Sequence, residues 1–141
     1  GSASPSLPGL TRIAAHDPRL TLHVDAQDMA ELTLNADIAV GGGGSTTWER
    51  CTLGLPSLLV VLADNQRPAA QALLEHDAVM VVDAQAAGFD AAFDRAAVRL
   101  LTDPVTRSRL TAASLDICDG LGADRVAQAF LQVIAAPRET A

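Results

Sequence analysis

The chain has 141 residues, 49% of them hydrophobic but only 3% aromatic and none of them tyrosine, so its core must be built from Ala, Leu, Val and Ile. Ten Lys and Arg stand against seventeen Asp and Glu, for a net charge of -7. With no basic stripe and almost no aromatic stacking surface, nucleic acid is not an expected partner.

The length suits one compact domain. The longest apolar run, 58–63, is far too short to span a membrane, no secretory signal is visible, and a cytoplasmic protein is expected. Gly1-Ser2 reads as the scar of a removed tag, which leaves the native start open. Cys51 and Cys118 lie in predicted helices without a CxxC or a Cys/His cluster, so free thiols are expected and no zinc site.

In chain order, a helix is predicted at 7–15. "LTLHV" (20–24) alternates and reads as a strand. Asp25 then caps a helix, with Asp28 three residues on, that ends near Asn35. "DIAVG" (37–41) reads as a short buried strand, and "GGGGSTT" leads into a helix over 46–53. Gly54 closes that helix and Pro56 prevents its return. "SLLVVLA" (57–63) is apolar at nearly every position, as in strands covered on both faces of a parallel sheet.

A helix over 66–76 and a strand "AVMVVDA" (78–84) follow. Helices alone come after, at 89–101, 104–115 and 122–135, with Pro104 in the first turn of its helix. The order βαβαβαβααα predicts a doubly wound α/β layer with about four parallel strands. The opening helix has no strand before it, which suggests a domain truncated on its N-terminal side. The expected division is a flexible lead at 1–9, a partial Rossmann-like domain at 10–136 and a tail at 137–141.

The glycine run, residues 41–44, falls where open α/β sheets bind ligands, between the carboxyl end of a strand and the start of a helix. Glycines let backbone N–H groups approach an anion, a helix start adds orphan donors, and Ser45, Thr46 and Thr47 add hydroxyls. The pattern is neither GxxxxGK[ST] nor GxGxxG. An anion site and a plain tight turn both fit it. Glu49 has two readings as well: the end of a capping box begun by Thr46, or a carboxylate accepting from the two hydroxyls of a ribose. Asn65 and Gln66 end the next strand and suit sugar hydroxyls or acylamino groups; alternatively Asp64 or Asn65 caps the following helix. His16, His23 and His76 lie away from the loop in sequence and are read as structural or surface residues.

"DMAEL…ADIAVGGGGSTTWERCTLGLPSLLVVLADNQ", with the later "DGLGADRVAQAFL", resembles the C-terminal part of the UDP-sugar hydrolases of pseudaminic acid biosynthesis. More distantly the chain is similar to GT-B glycosyltransferases that add N-acetylglucosamine to lipid intermediates. The match runs over about 20–131, and the second glycine of the loop stands where the family has alanine. The resemblance implies the C-terminal, Rossmann-like half of a GT-B fold, binding UDP or a UDP-sugar without metal or other cofactor. It implies that Gly43, Gly44, Ser45 and Thr46 contact the diphosphate and that Glu49 holds the ribose. It places uracil at Ala26 and Met29 and the sugar at Asn65 and Gln66.

By the same resemblance the catalytic histidine belongs to an N-terminal domain absent from this chain, so no catalytic residue is expected here, and that domain is an expected partner. Three functions stand beside one another: the nucleotide-binding segment of a hydrolase that cleaves the sugar C1–O bond, the donor half of a glycosyltransferase, and a non-catalytic UDP-sugar-binding module. An α/β domain with a tight glycine turn and no ligand is the plainest reading. An uncovered sheet edge also makes an edge-strand dimer conceivable.

Overall fold

The computed structural model describes residues 1–135, so residue 136 and the expected tail at 137–141 lie outside the described residues. The chain forms two compact units, Gly1–Leu32 and Thr33–Ala141. The first holds α1 (Leu7–His16), an irregular stretch after it, and the start of α2 (Met29–Leu34), within which the boundary falls.

No strand forms at 20–24. Alternation alone does not make a strand; its backbone needs a ladder partner, and the sheet has three strands, none of them in this unit. Leu20, Leu22 and Val24 accordingly stay exposed. Nor does Asp25 cap α2. It takes a left-handed backbone (φ 50°) and its carboxylate accepts from the Ser2 N–H at 3.0 Å. The first i→i+4 bond of α2 runs from Leu32 N–H to Asp28 O, three residues later than expected.

The second unit is built on the sheet: β1 (Ala39–Gly42), α3 (Thr46–Thr52), β2 (Ser57–Val61), α4 (Arg67–Glu75), β3 (Met80–Asp83), α5 (Phe89–Thr102), α6 (Pro104–Ile117) and α7 (Gly122–Ala135). A single 3-10 turn, Asp64–Gln66, precedes α4. The strands run parallel in the order β1-β2-β3, so four expected strands become three. Gly42 pairs with Val60, and Val61 with Asp83, which brings the carboxyl ends of all three strands to one edge.

β2 is apolar at nearly every position because both its faces are covered. Leu59 and Val61 point to one face, into a cluster with Cys51 of α3, Ala70 and Leu73 of α4, and Val79. Leu58 points to the other and meets Val82, Leu100 of α5 and Leu110 of α6. α6 serves both cores, since its Ala113 and Ile117 pack against the first cluster. The fold is therefore α/β with helices on both faces of a parallel sheet.

Local chemistry fixes where the helices stop. Gly54 sits at φ 63° after α3, with Gly54 N–H on Cys51 O at 2.9 Å and Leu55 N–H on Arg50 O at 3.0 Å. This double bond pattern is a Schellman motif, and the left-handed residue in it favours glycine. Asp103 caps α6, accepting from the N–H groups of Val105 and Thr106, with Pro104 in the first turn. Among the described residues, no helix is long and apolar enough to cross a membrane.

Leu59 is 1% exposed and touches both α3 and α4 partners. Leu59→Ala is expected to lower unfolding stability by about 3 kcal/mol in urea denaturation, from lost transfer energy plus a residual cavity. A loss under about 1 kcal/mol would contradict the burial of this face of β2.

Candidate functional site at the carboxyl edge of the sheet

Three loops leave the carboxyl edge: 43–45 after β1, 62–66 after β2 and 84–88 after β3. The first is short because α3 starts at once. Its N-cap position is Ser45, with Thr46 as the first helical residue, and Ser45 makes no side-chain cap bond. That register rules out the expected capping box. The box needs an acid three residues beyond the cap; Trp48 stands there, and Glu49 is one step further. The Glu49 carboxylate is exposed and has no hydrogen-bond partner among the described residues.

The four glycines do different work, and none of them has a positive φ. At Gly41 a Cβ would lie 2.6 Å from Nη1 of Arg50. At Gly43 it would lie 3.2 Å from Cβ of Gln66 and 3.3 Å from its Oε1. At Gly42 it would press on Leu62 at 3.2 Å, whereas Gly44 has nothing within 4 Å. Gly41 thus makes room beneath the loop, Gly43 lets the second loop come close, and Gly44 faces open space.

The hydroxyls divide as well. Ser45 and Thr46 are exposed, but Thr47 is 2% exposed and its hydroxyl donates to Gly42 O at 3.4 Å while accepting from Arg50 Nη2 at 3.1 Å. Thr47 is therefore committed to the loop itself and is withdrawn from the expected set of external donors.

Arg50 is the residue that sequence reasoning passed over. It is 8% exposed. Its Nη2 donates to Gly42 O at 3.2 Å and to Thr47 Oγ1, both neutral acceptors. No carboxylate pairs with it among the described residues, and its Nε is a buried nitrogen without a partner there. Burial lowers its pKa from the usual value, yet a guanidinium stays charged in proteins. The signal available in sequence was the Gly41–Arg50 spacing, which becomes meaningful only when α3 folds back over β1.

The second loop meets the first through Gln66. Its Oε1 accepts from Leu62 N–H at 2.9 Å, which fixes the amide beside Gly43. Asn65 is exposed and caps nothing; Asp64 accepts from Arg67 Nε at 3.0 Å and does not cap α4, whose N-cap position is Gln66. Arg67 also pairs with Asp83 and reaches Gln85 Oε1 at 3.2 Å, tying the ends of β2 and β3 together. Its guanidinium holds the Asp83 carboxyl below the usual carboxylate range.

Beside Glu49 lies a groove of about 310 Å³, lined by Trp48, Glu49, Thr52, Cys118, Asp119 and Arg125. Arg125 pairs with Asp119 through both nitrogens of its fork, one of them at 2.9 Å, and Leu121 N–H adds a bond at 3.0 Å. Thr52 and Cys118 meet at 3.1 Å in the same wall. Burial pushes the Cys51 thiol up to about 11.

The expected uracil residues Ala26 and Met29 belong to the first unit. His16 and His23 lie there too, while His76 follows the carboxyl end of α4, on the amino side of β3 and so away from the loop edge. Among the described residues, no group of three or more His, Cys, Asp or Glu is placed to hold a metal.

No protein-family model matches the chain. The chain is similar to the UDP-N-acetylglucosamine--N-acetylmuramyl-(pentapeptide) pyrophosphoryl-undecaprenol N-acetylglucosamine transferase of Sorangium cellulosum (strain So ce56). The two are 31% identical over 118 residues, covering 81% of this chain and 29% of that protein. Among solved structures it resembles the spinosyn forosaminyltransferase SpnP, with a TM-score of 0.59 and 19% identity over 96% of this chain and 40% of that one. The chain thus spans under a third of the length of the curated relative and two fifths of the structural neighbour. That likeness shows the fold, a GT-B-like α/β layer.

The Asp119–Arg125 pair gives a pH test of the groove. Hydrogen bonds from Arg125, then from Leu121, lower the Asp119 carboxyl from 3.8 to about 2. A depressed folded pKa means that its contribution to stability is present above pH 3.8 and is lost as pH falls through about 2. A carboxyl-detected NMR titration is expected to find that midpoint, and Arg125→Gln to raise it toward 3.8. An unchanged midpoint in the variant would show that the pair does not hold in solution.

Proposed function

We propose that this chain is the nucleotide-sugar-binding half of a GT-B glycosyltransferase, and that the loop of Gly43, Gly44, Ser45 and Thr46 takes the diphosphate of a UDP-sugar. The observation that carries the reading is the loop itself. An exposed turn of small residues stands at the carboxyl edge of a parallel sheet, with the Gln66 amide against Gly43 and open space at Gly44. The likeness to two glycosyltransferases of this fold supports it.

In this reading Glu49, exposed and without a partner among the described residues, accepts from the ribose hydroxyls. Asn65 and Gln66 face the sugar. The assignment of uracil to Ala26 and Met29 rests on the sequence resemblance alone. The bond between sugar C1 and the diphosphate oxygen breaks, its electron pair leaves with UDP, and the loop donors hold the added charge. An acceptor hydroxyl bonds to C1 and gives its proton to a base supplied by the remainder of the protein. No metal enters this scheme. The partner is that remainder, the N-terminal domain of such an enzyme.

The run "GGSTTWERCTLGLPS…ADNQ" favours a second reading, in which water is the acceptor and the parent protein is a UDP-sugar hydrolase of pseudaminic acid biosynthesis. Product analysis of the full-length protein separates the two: a new glycoside means transfer, free sugar means hydrolysis.

The shared claim is tested by titrating UDP into the chain, following backbone NMR shifts and heat. Binding is expected with shifts at 43–49, and Glu49→Ala is expected to weaken it about tenfold, the scale of lost hydrogen bonds to a charged group. Undiminished affinity in the Glu49→Ala chain would remove the ribose assignment; absent shifts in the loop at millimolar UDP would remove the diphosphate assignment.

A further inference from the structure

We infer that Arg50 is the positioning residue of the diphosphate loop, a buried cation that sets the loop's shape and selects for phosphate; this rests on the reading of residues 43–46 given above. Arg50 is 8% exposed, and its guanidinium contacts both ends of the loop, Gly42 at its start and Thr47 at its close. Thr47 completes a triangle by donating to the same Gly42 carbonyl. Six residues are thereby pinned by one side chain.

The arrangement is costly unless it answers an anion. Taking a cation out of water costs several kcal/mol, and proteins normally offset that with a carboxylate. Among the described residues six ion pairs form elsewhere, all with exposed arginines, whereas the buried arginine has no carboxylate within ion-pair distance and Glu49 attracts it only at longer range. Its Nε is left without an acceptor there. A Cβ at Gly41 would come within 2.6 Å of Nη1, so any side chain there would displace the guanidinium. A loop wanted only as a turn would be served by an apolar residue at this position. A cation directly behind a loop of exposed N–H and hydroxyl groups instead raises the affinity of that loop for negative charge, and does so through low-dielectric protein where screening is weak.

Arg50 touches no phosphate in this scheme. It acts through the Gly42 carbonyl, the Thr47 hydroxyl and its field. The consequence is selective: losing it should reduce the gain in affinity that phosphates bring, and leave the nucleoside contribution in place.

The test compares uridine, UMP and UDP binding to the chain at low and high salt, for the wild type, Arg50→Met and Gly41→Ala. Arg50→Met removes the charge; Gly41→Ala keeps it but forces the guanidinium to move. In both, the preference for UDP over uridine is expected to fall about tenfold, at low and at high salt alike, while uridine affinity holds. Thr47→Val, which keeps shape and removes only the bridging hydroxyl, is expected to lose about threefold and provides the reading if a stronger variant fails to fold. A wild-type preference retained in the variants overturns the inference, and so does an equal loss of uridine and UDP, which would mark Arg50 as a scaffold residue only. A wild-type protein that binds UDP no better than uridine overturns the diphosphate assignment itself, and the inference with it.

Discussion

The central strand β2 is the constraint on which the second unit rests. It pairs with a parallel neighbour on each side and is buried on both faces, with Leu59 and Val61 under α3 and α4 and Leu58 against α5 and α6. In a parallel sheet a one-residue slip would exchange the two faces. Burial on both faces tolerates apolar residues either way, so the register must come from shape and from the connections. The connections supply it. The Schellman stop at Gly54 and the buried Ser57, whose hydroxyl donates to Leu55 O at 2.8 Å, fix where β2 begins. With β2 set, the ends of all three strands fall in one row, and the loops that leave them are neighbours.

That row is where order is concentrated. Arg67 spans from Asp64 to Asp83 and Gln85, joining the second and third loops. Gln66 rests against Gly43 and joins the second loop to the first. Arg50 locks the first loop from beneath. Each join uses one side chain to hold two backbone segments, which suits a site whose backbone groups must be in place before a ligand arrives. The exposed groups left over, Ser45, Thr46, Glu49 and Asn65, are those without other work in the fold.

Much of the fold was legible in the sequence. The apolar run at 57–63, the turn at Gly54, the Pro104 start and the helices at 89–101, 104–115 and 122–135 each announced themselves through local chemistry, and the structure reproduces them with boundary shifts of a residue or two. The alternating 20–24 segment misled because a strand is a property of a pair, and the segment has no ladder partner. Asp25 and the Thr46-to-Glu49 box misled because a capping signal gives the residue types and not the register. One residue's displacement of the helix start put Trp48 where the acid was expected.

The sequence by itself determined the α/β class, the parallel sheet, the glycine loop at the start of a helix and the likeness to nucleotide-sugar enzymes, because these depend on residue type, periodicity and near neighbours. Only the tertiary structure decided the separate duties of the glycines, the withdrawal of Thr47 into the loop and the burial of Arg50. Those outcomes turn on how closely α3 approaches β1 and how far Gln66 reaches from the next loop. Such distances are set by packing across the sheet, and no pattern along the chain carries them.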